Sequence, residues 1–215
     1  MKILKKLLGK LIRILYRFVY RFIPCQEKTI LFISFHGRGY SDNPMAIHQY
    51  LSKHSQYADY RCIYAIKNHK QKKLKIENAR IIEYFSIAYF FYLARSKYWI
   101  ANCKLPKYVL KKDSQVYLQT WHGTPLKKLA HDIEVPEGTT FYRSEMSVEE
   151  MRSTYDNDVS KYNYMISPSA FTTEVFQSAF AIERERLIET GYPRNDILSN
   201  YNSDDIKKIK DKLNL

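Results

Sequence analysis

KTILFISFHGRGYSDNP, residues 28–44, decides the fold. Residues 30–35 are apolar apart from Ser34, and a run of that length closed by turn residues reads as a strand buried on both faces. Gly37 and Gly39 break the run. A helix is then predicted to enter through Asn43 as its cap, with Pro44 in its first turn. Strand, flexible loop and helix in that order open a βαβ unit.

The same alternation continues along the chain. Residues 61–66, 81–84, 98–103, 116–121, 164–167 and 187–190 predict strands, and 86–95, 147–155, 169–180 and 204–213 predict helices; residues 69–76 read as a solvated basic stretch. Strands alternating with helices imply an α/β fold with a doubly wound, mostly parallel, Rossmann-like sheet. Such a sheet takes its ligands beyond the carboxyl ends of its strands. The loops opening at His36, Cys103, His122, Ser167 and Gly191 are therefore where a site is expected.

Composition bounds the class. The 215 residues are 45% hydrophobic and 27% charged, with 19 Tyr, 11 Phe and 2 Trp, which excludes a disordered chain. Six glycines and seven prolines exclude a collagen-like or low-complexity one. A net charge of +13 points to an anionic partner: nucleic acid, a lipid surface or a phosphorylated substrate. Seven of the positive charges, with no acidic residue, fall within residues 1–24, and the other 191 residues carry only +6. A nucleic-acid partner is not expected, because a basic arm for nucleic acid has little use for so much Leu, Ile and Phe.

That amino-terminal segment reads MKILKKLLGKLIRILYRFVYRFIP. Lys2, Lys6, Lys10, Arg13, Arg17 and Arg21 recur every three or four residues and form one stripe on a helix that Pro24 ends. Leu4, Leu7, Leu8, Leu11, Ile14, Leu15, Phe18 and Phe22 cover the other side. A cationic stripe opposite a wide apolar face with aromatics predicts a helix lying on an anionic membrane surface. No apolar run approaches the roughly 20 residues needed to span a bilayer. Docking of the same helix on its own domain is the alternative.

Cys25, Cys62 and Cys103 are few, odd in number and widely spaced, which argues against a disulfide framework or a zinc site. No metal and no cofactor is expected.

Three segments carry candidate chemistry. In QTWHGTPLKK (119–128), His122 ends an apolar strand, Gly123 makes a tight turn, Thr124 caps a helix, and Pro125, Lys127 and Lys128 fall in its first turn. Cations are unfavourable at that electropositive end unless an anion sits before them, so a phosphate site with His122 as general base is one reading. The other is a strand-end histidine satisfied by backbone, with lysines on a solvated face. In the first loop, Ser41, Asp42 and Asn43 offer donors and acceptors, while the dinucleotide fingerprint GxGxxG is incomplete. In GYPRND (191–196), Arg194 is either a bidentate phosphate ligand or an exposed turn residue.

These segments, with the stretches YSDNPMAIHQYL, KYWIANCKLPKY, YLQTWHGTPLKKLAHDI, ISPSAFTTEVFQSAF and ETGYPRNDIL, resemble the CDP-glycerol glycerophosphotransferase family of teichoic acid synthesis over residues 28–198. The resemblance implies the first of two Rossmann-like domains of a GT-B-like enzyme. Its reaction is transfer of glycerol phosphate from CDP-glycerol to a hydroxyl of a polyprenyl-diphosphate-linked acceptor, with release of CMP, at the cytoplasmic face of the membrane. His122 then corresponds to the base. Gly123, Thr124, Lys127 and Lys128 shape the cleft around phosphate, Ser41, Asp42 and Asn43 lie on the acceptor side, and Arg194 contacts phosphate.

The expected organisation is a membrane-surface helix over 1–24, an acceptor-side domain over 28–200 and a terminal helix over 201–215 that leads toward a donor-binding domain. An acceptor-side half of this kind is expected to turn over poorly by itself. The competing expectation is a non-catalytic membrane or scaffold module that docks on a separate transferase.

Overall fold

The run at 28–44 supplies most of β1 (Gln26–Ile33), an interior strand, third in a seven-stranded sheet. The fold is that of a computed structural model describing residues 2–70, 73–134, 136, 140–141 and 146–215, with residues 2–9, 12, 140 and 141 described by backbone alone. The other strands are β2 (Arg61–Ile66), β3 (Ala79–Glu83), β4 (Ser96–Ala101) and β5 (Val116–Gln119), then a two-stranded antiparallel pair, β6 (Thr140–Phe141) and β7 (Met146–Ser147), and finally β8 (Tyr164–Ser167) and β9 (Leu187–Glu189). The main sheet runs β3-β2-β1-β4-β5-β8-β9 with every pairing parallel. This is the doubly wound, Rossmann-like α/β arrangement, in which strand order reverses between β1 and β4.

Alternation along β1 divides the interior into two layers. Leu31 and Ile33 join a large cluster with Trp99, Tyr117, Phe176 and Phe180. Ile30 and Phe32 join Tyr64 and Ile66 on the opposite face. Burial on both faces is why the strand reads as continuous rather than alternating. The helices are α1 (Lys2–Val19), α2 (Asp42–Lys53), α3 (Ile87–Arg95), α4 (Val148–Val159), α5 (Ala170–Phe180), α6 (Ile197–Asn200) and α7 (Ser203–Leu213). Ser86, Ser147 and Ser169 cap α3, α4 and α5, each accepting from the third backbone N–H beyond it.

Several boundaries differ from the sequence reading. The N-cap of α2 is Ser41, not Asn43, because Asn43 turns its buried carboxamide to the Thr120 and Trp121 carbonyls just beyond β5 instead. β5 ends at Gln119 rather than 121, because Trp121 adopts φ 51 and leaves the strand. No helix follows Thr124: residues 122–129 form bends, and the next regular turn is a 3-10 helix at Ala130–Asp132. A helix there would need an apolar stripe, but Leu126 is 93% exposed and Lys127 and Lys128 face solvent. The basic stretch at 69–76 is not wholly solvated, since Ile76 packs in the second core layer; residues 71 and 72 lie outside the described residues.

Helix α1 ends at Val19, so Arg21 lies in the turn beyond it. Proline at 24 disfavours helical backbone at the residue before it, and residues 20–22 form a turn as the chain runs toward β1. One side of α1 docks on the domain: Tyr16 is buried, donates to the Leu110 carbonyl at 2.9 Å and packs on Phe90 at 5.2 Å. Leu11, Ile14 and Leu15 are exposed, as are Phe18 (71%) and Phe22 (73%). Lys10, Arg17 and Arg21 are exposed, Arg13 lies over the Tyr108 ring at 5.4 Å, and the side chains of Lys2 and Lys6 lie outside the described residues. No helix among the described residues is long and apolar enough to cross a membrane.

Candidate functional site at the strand-order reversal

At the carboxyl edge between β1 and β4 the backbone is repeatedly left-handed. Phe35 (φ 44), His36 (φ 54), Asp42 (φ 62) and Trp121 (φ 51) all carry positive φ, a conformation that costs non-glycine residues about 1–3 kcal/mol each. Gly37, at φ 81, has no alternative: a Cβ there would lie 2.7 Å from Tyr84 Cβ. Gly123 differs from the expected tight-turn glycine. Its φ is ordinary and a Cβ would meet nothing within 4 Å; the special backbone belongs to Trp121 before it.

The three sequence segments converge. Asn102, at the end of β4, accepts from the Phe35 amide at 2.8 Å and donates to Asp42 Oδ2 at 2.6 Å. Asp42 Oδ1 takes the guanidinium Nη1 of Arg194, which also donates to the His122 carbonyl at 2.9 Å. Asn43 donates to the Thr120 and Trp121 carbonyls at 3.2 Å each and accepts from the Arg194 amide at 3.2 Å. Arg194 also lies over the ring of buried Tyr192 at 4.9 Å, and burial pushes that phenol up to about 12. One bonded assembly thus ties loop 41–43, loop 120–122 and turn 193–195 together.

His122 stands at the open side of this assembly. Its ring stacks on Trp121 with centroids 4.5 Å apart and approaches Phe35 at 6.0 Å. Among the described residues neither ring nitrogen is hydrogen-bonded. Desolvation against these rings pulls the imidazole below its ordinary value; Asp42 works in the opposite direction and Arg194 adds to the lowering. An imidazole that is neutral and unbonded near neutral pH is able to take a proton from a hydroxyl.

The loop that presents it is anchored from below. Gln119 accepts from the Trp121 amide at 3.0 Å and donates to the Tyr162 and Tyr117 hydroxyls at 3.2 and 3.1 Å. Tyr162 donates to Asp158, which also accepts from the Leu105 amide at 3.0 Å. Burial raises Asp158 to about 6, against the lowering effect of Tyr162.

Of the residues singled out from sequence, His122, Asp42, Asn43 and Arg194 meet. Arg194 is an ion-pair partner of Asp42 rather than an open turn residue, so part of its bonding capacity is spent within the protein. Ser41 lends its carbonyl to Ser34 Oγ at 2.9 Å and makes no side-chain cap bond. Thr124 and Lys127 are exposed, and Lys128 pairs with Glu134. The two lysines therefore do not sit in a first helical turn, and the electropositive helix end inferred for them is absent.

Sequence reasoning missed Asn102, Gln119, Asp158 and Tyr162. A polar residue ending an apolar strand run was the available signal for Asn102 and Gln119. Among the described residues no cluster of His, Cys, Asp and Glu forms a metal site, and all three cysteines are free thiols.

A doubly wound parallel sheet with a bonded cluster at its order reversal defines a Rossmann-like α/β protein whose ligand edge is built from loops distant in sequence. Comparison with known proteins narrows the class. The chain belongs to the CDP-glycerol:poly(glycerophosphate) glycerophosphotransferase family, whose model matches residues 14–215. A teichoic acid poly(glycerol phosphate) polymerase of Bacillus spizizenii is 38% identical over 197 residues, covering 90% of this chain and 48% of that protein. A teichoic acid glycerol-phosphate transferase of Staphylococcus aureus is 37% identical over 190 residues, with 86% and 46% covered. A histidine-to-asparagine variant of the wall teichoic acid polymerase TagF, soaked with CDPG, superposes with a TM-score of 0.86 at 36% identity over 95% of this chain and 48% of that one. The chain spans about half the length of these relatives.

Proposed function

We propose that these residues form the acceptor-side part of a glycerophosphotransferase that moves glycerol phosphate from CDP-glycerol to a hydroxyl of a polyprenyl-diphosphate-linked teichoic acid acceptor. The observation that carries this reading is the unbonded, neutral-leaning imidazole of His122, held at the ligand edge by Arg194 and Asn43. In the proposed step the acceptor oxygen attacks phosphorus, the bond from phosphorus to CMP breaks, and the hydroxyl proton passes to His122. The open space over Gly123 lets the acceptor approach, with Thr124 and Lys127 along its path. Ser41, Asp42, Asn43 and Arg194 hold the loops in place.

In the same reading this sheet is one of two facing Rossmann-like domains, as in GT-B enzymes. The exposed apolar side of α1 and its cations seat the protein on the cytoplasmic face of the membrane as a peripheral protein.

The test is His122→Ala in full-length protein, with CMP release measured on a lipid-linked acceptor. General-base catalysis contributes about 10²–10⁴-fold, so the rate is expected to fall by that factor with the melting temperature unchanged. A rate within about threefold of the parent overturns the assignment of His122 as base.

A further inference from the structure

Beside the His122 assembly a cavity of about 830 Å³ opens, within the size range of small-ligand sites. Its wall combines His36, from the loop after β1, with Lys104, Leu105 and Lys107, from the loop after β4, and Met151 and Tyr155 of α4. It therefore straddles the same reversal of strand order that positions ligands in sheets of this kind.

The cations in this wall are held by neutral groups. Lys104 Nζ donates to Thr154 Oγ1 at 2.9 Å and lies 3.3 Å from the centre of the Tyr155 ring. Lys107 Nζ donates to Ser153 Oγ at 3.1 Å. Neither lysine is in an ion pair among the described residues. Glu150, the carboxylate in the lining, is turned to its own helix start, accepting from the Ser147 amide at 3.0 Å. Asp158, the carboxylate nearest Lys104 electrostatically, spends its oxygens on Leu105 and Tyr162.

Lysine and arginine charge converges on His36 as well: after desolvation, Lys67, Arg38 and Lys104 act to lower its pKa. Fixed donors on Lys104 and Lys107, an apolar floor and an aromatic wall suit a phosphate joined to a small polyol.

We propose that this cavity is a phosphate subsite for the polyol phosphate chain of the acceptor, with Lys104 and Lys107 as its ligands and Tyr155 as its wall. The proposal rests on the acceptor-side reading above and adds a binding locus distinct from His122. His36, in the wall of this cavity, feels the charge of His122, so the cavity lies on the same edge of the sheet as the imidazole.

The experiment titrates the 215-residue chain with glycerol 3-phosphate, a two-unit glycerol phosphate oligomer and pyrophosphate, followed by phosphorus NMR. Saturable binding of the oligomer in the millimolar range or tighter is expected, weakened at least tenfold in the Lys104→Gln/Lys107→Gln double variant. Lys104→Arg, which keeps a phosphate-binding charge, binds the oligomer more tightly than Lys104→Gln does. Lys107→Gln alone alters an exposed side chain that the fold does not need, and it weakens binding measurably.

Native affinity in the double variant, or no saturable binding by the parent, overturns the subsite. Preference for pyrophosphate over the oligomer overturns its assignment to the polyol chain. His122→Ala leaves this binding intact, so loss of transfer in that variant tests the catalytic reading separately.

Discussion

Asn43→Ala is the sharpest probe of how the site is assembled. The carboxamide is fully buried and bonds the Thr120 carbonyl, the Trp121 carbonyl and the Arg194 amide, each at 3.2 Å. These contacts sit at the long end of hydrogen-bond distances, so each bond broken with its partner left buried is placed at about 1 kcal/mol, the low end of the usual range. Three of them make about 3 kcal/mol. For a chain of this length that lowers the melting temperature by roughly 6–12 °C.

Calorimetry and urea unfolding measure the loss, and the transfer assay reads its consequence for His122, whose loop is held by the same bonds. Asn43→Asp sharpens the test. At pH 7 it turns a carboxylate toward two carbonyl oxygens and should destabilise more than alanine does. Because that site favours the protonated acid, the carboxyl pKa is raised in the folded state, and stability returns as pH falls through it. Combined with Arg194→Gln, Asn43→Ala should be non-additive, since the two residues share one network. A loss below about 0.5 kcal/mol for Asn43→Ala, within the range of an ordinary surface change, would refute the proposed interlock.

Gly37→Ala should destabilise by about 2–4 kcal/mol, from the left-handed backbone and the 2.7 Å approach to Tyr84, and a neutral result in thermal melts would contradict the geometry. Arg194→Gln removes a charge that lowers the His122 pKa and leaves Asp42, which raises it; the rising limb of the kcat/KM profile, which reports the neutral base, should move to higher pH, and a limb that stays put or moves down counts against the pairing. Replacing Lys10, Arg17 and Arg21 by Gln should weaken binding to anionic vesicles by about 100-fold in a sedimentation assay at low salt, at roughly 1 kcal/mol per cation; unchanged sedimentation would remove α1 from the membrane reading.

The order of strands and helices was legible because a doubly buried sheet writes itself as short apolar runs, and residues 61–66 and 164–167 match β2 and β8 end to end. Helix starts were legible wherever a serine caps locally, as at Ser86, Ser147 and Ser169. Asn43 was misread for the same local reason: an asparagine before proline looks like a cap, and only tertiary contacts 77 and 78 residues away reveal its use. The helix expected after Thr124 followed from a threonine cap with proline in the first turn, but an exposed Leu126 removes the packing that would sustain it. His122, Asp42 and Arg194 stood out as residue types at strand ends, whereas their bonding to one another is information that only the folded chain contains. Asn102 and Gln119 carried one signal, a polar residue closing an apolar run, but their partners, the Phe35 amide and Asp42 for one and the tyrosine hydroxyls for the other, come together only in the fold.

The Arg194 bonds also dictate an order of events. They reach back 152 residues to Asp42 and 72 residues to the His122 carbonyl. On a ribosome adding about 5–20 residues per second, Asp42 leaves the tunnel some 8–30 s before its partner. The central strands are able to pair in that interval, but the loop bearing His122 stays unlatched until turn 193–195 arrives. The loop bearing His122 thus matures after the central sheet, and a nascent chain stalled before Arg194 would have the sheet without a latched loop.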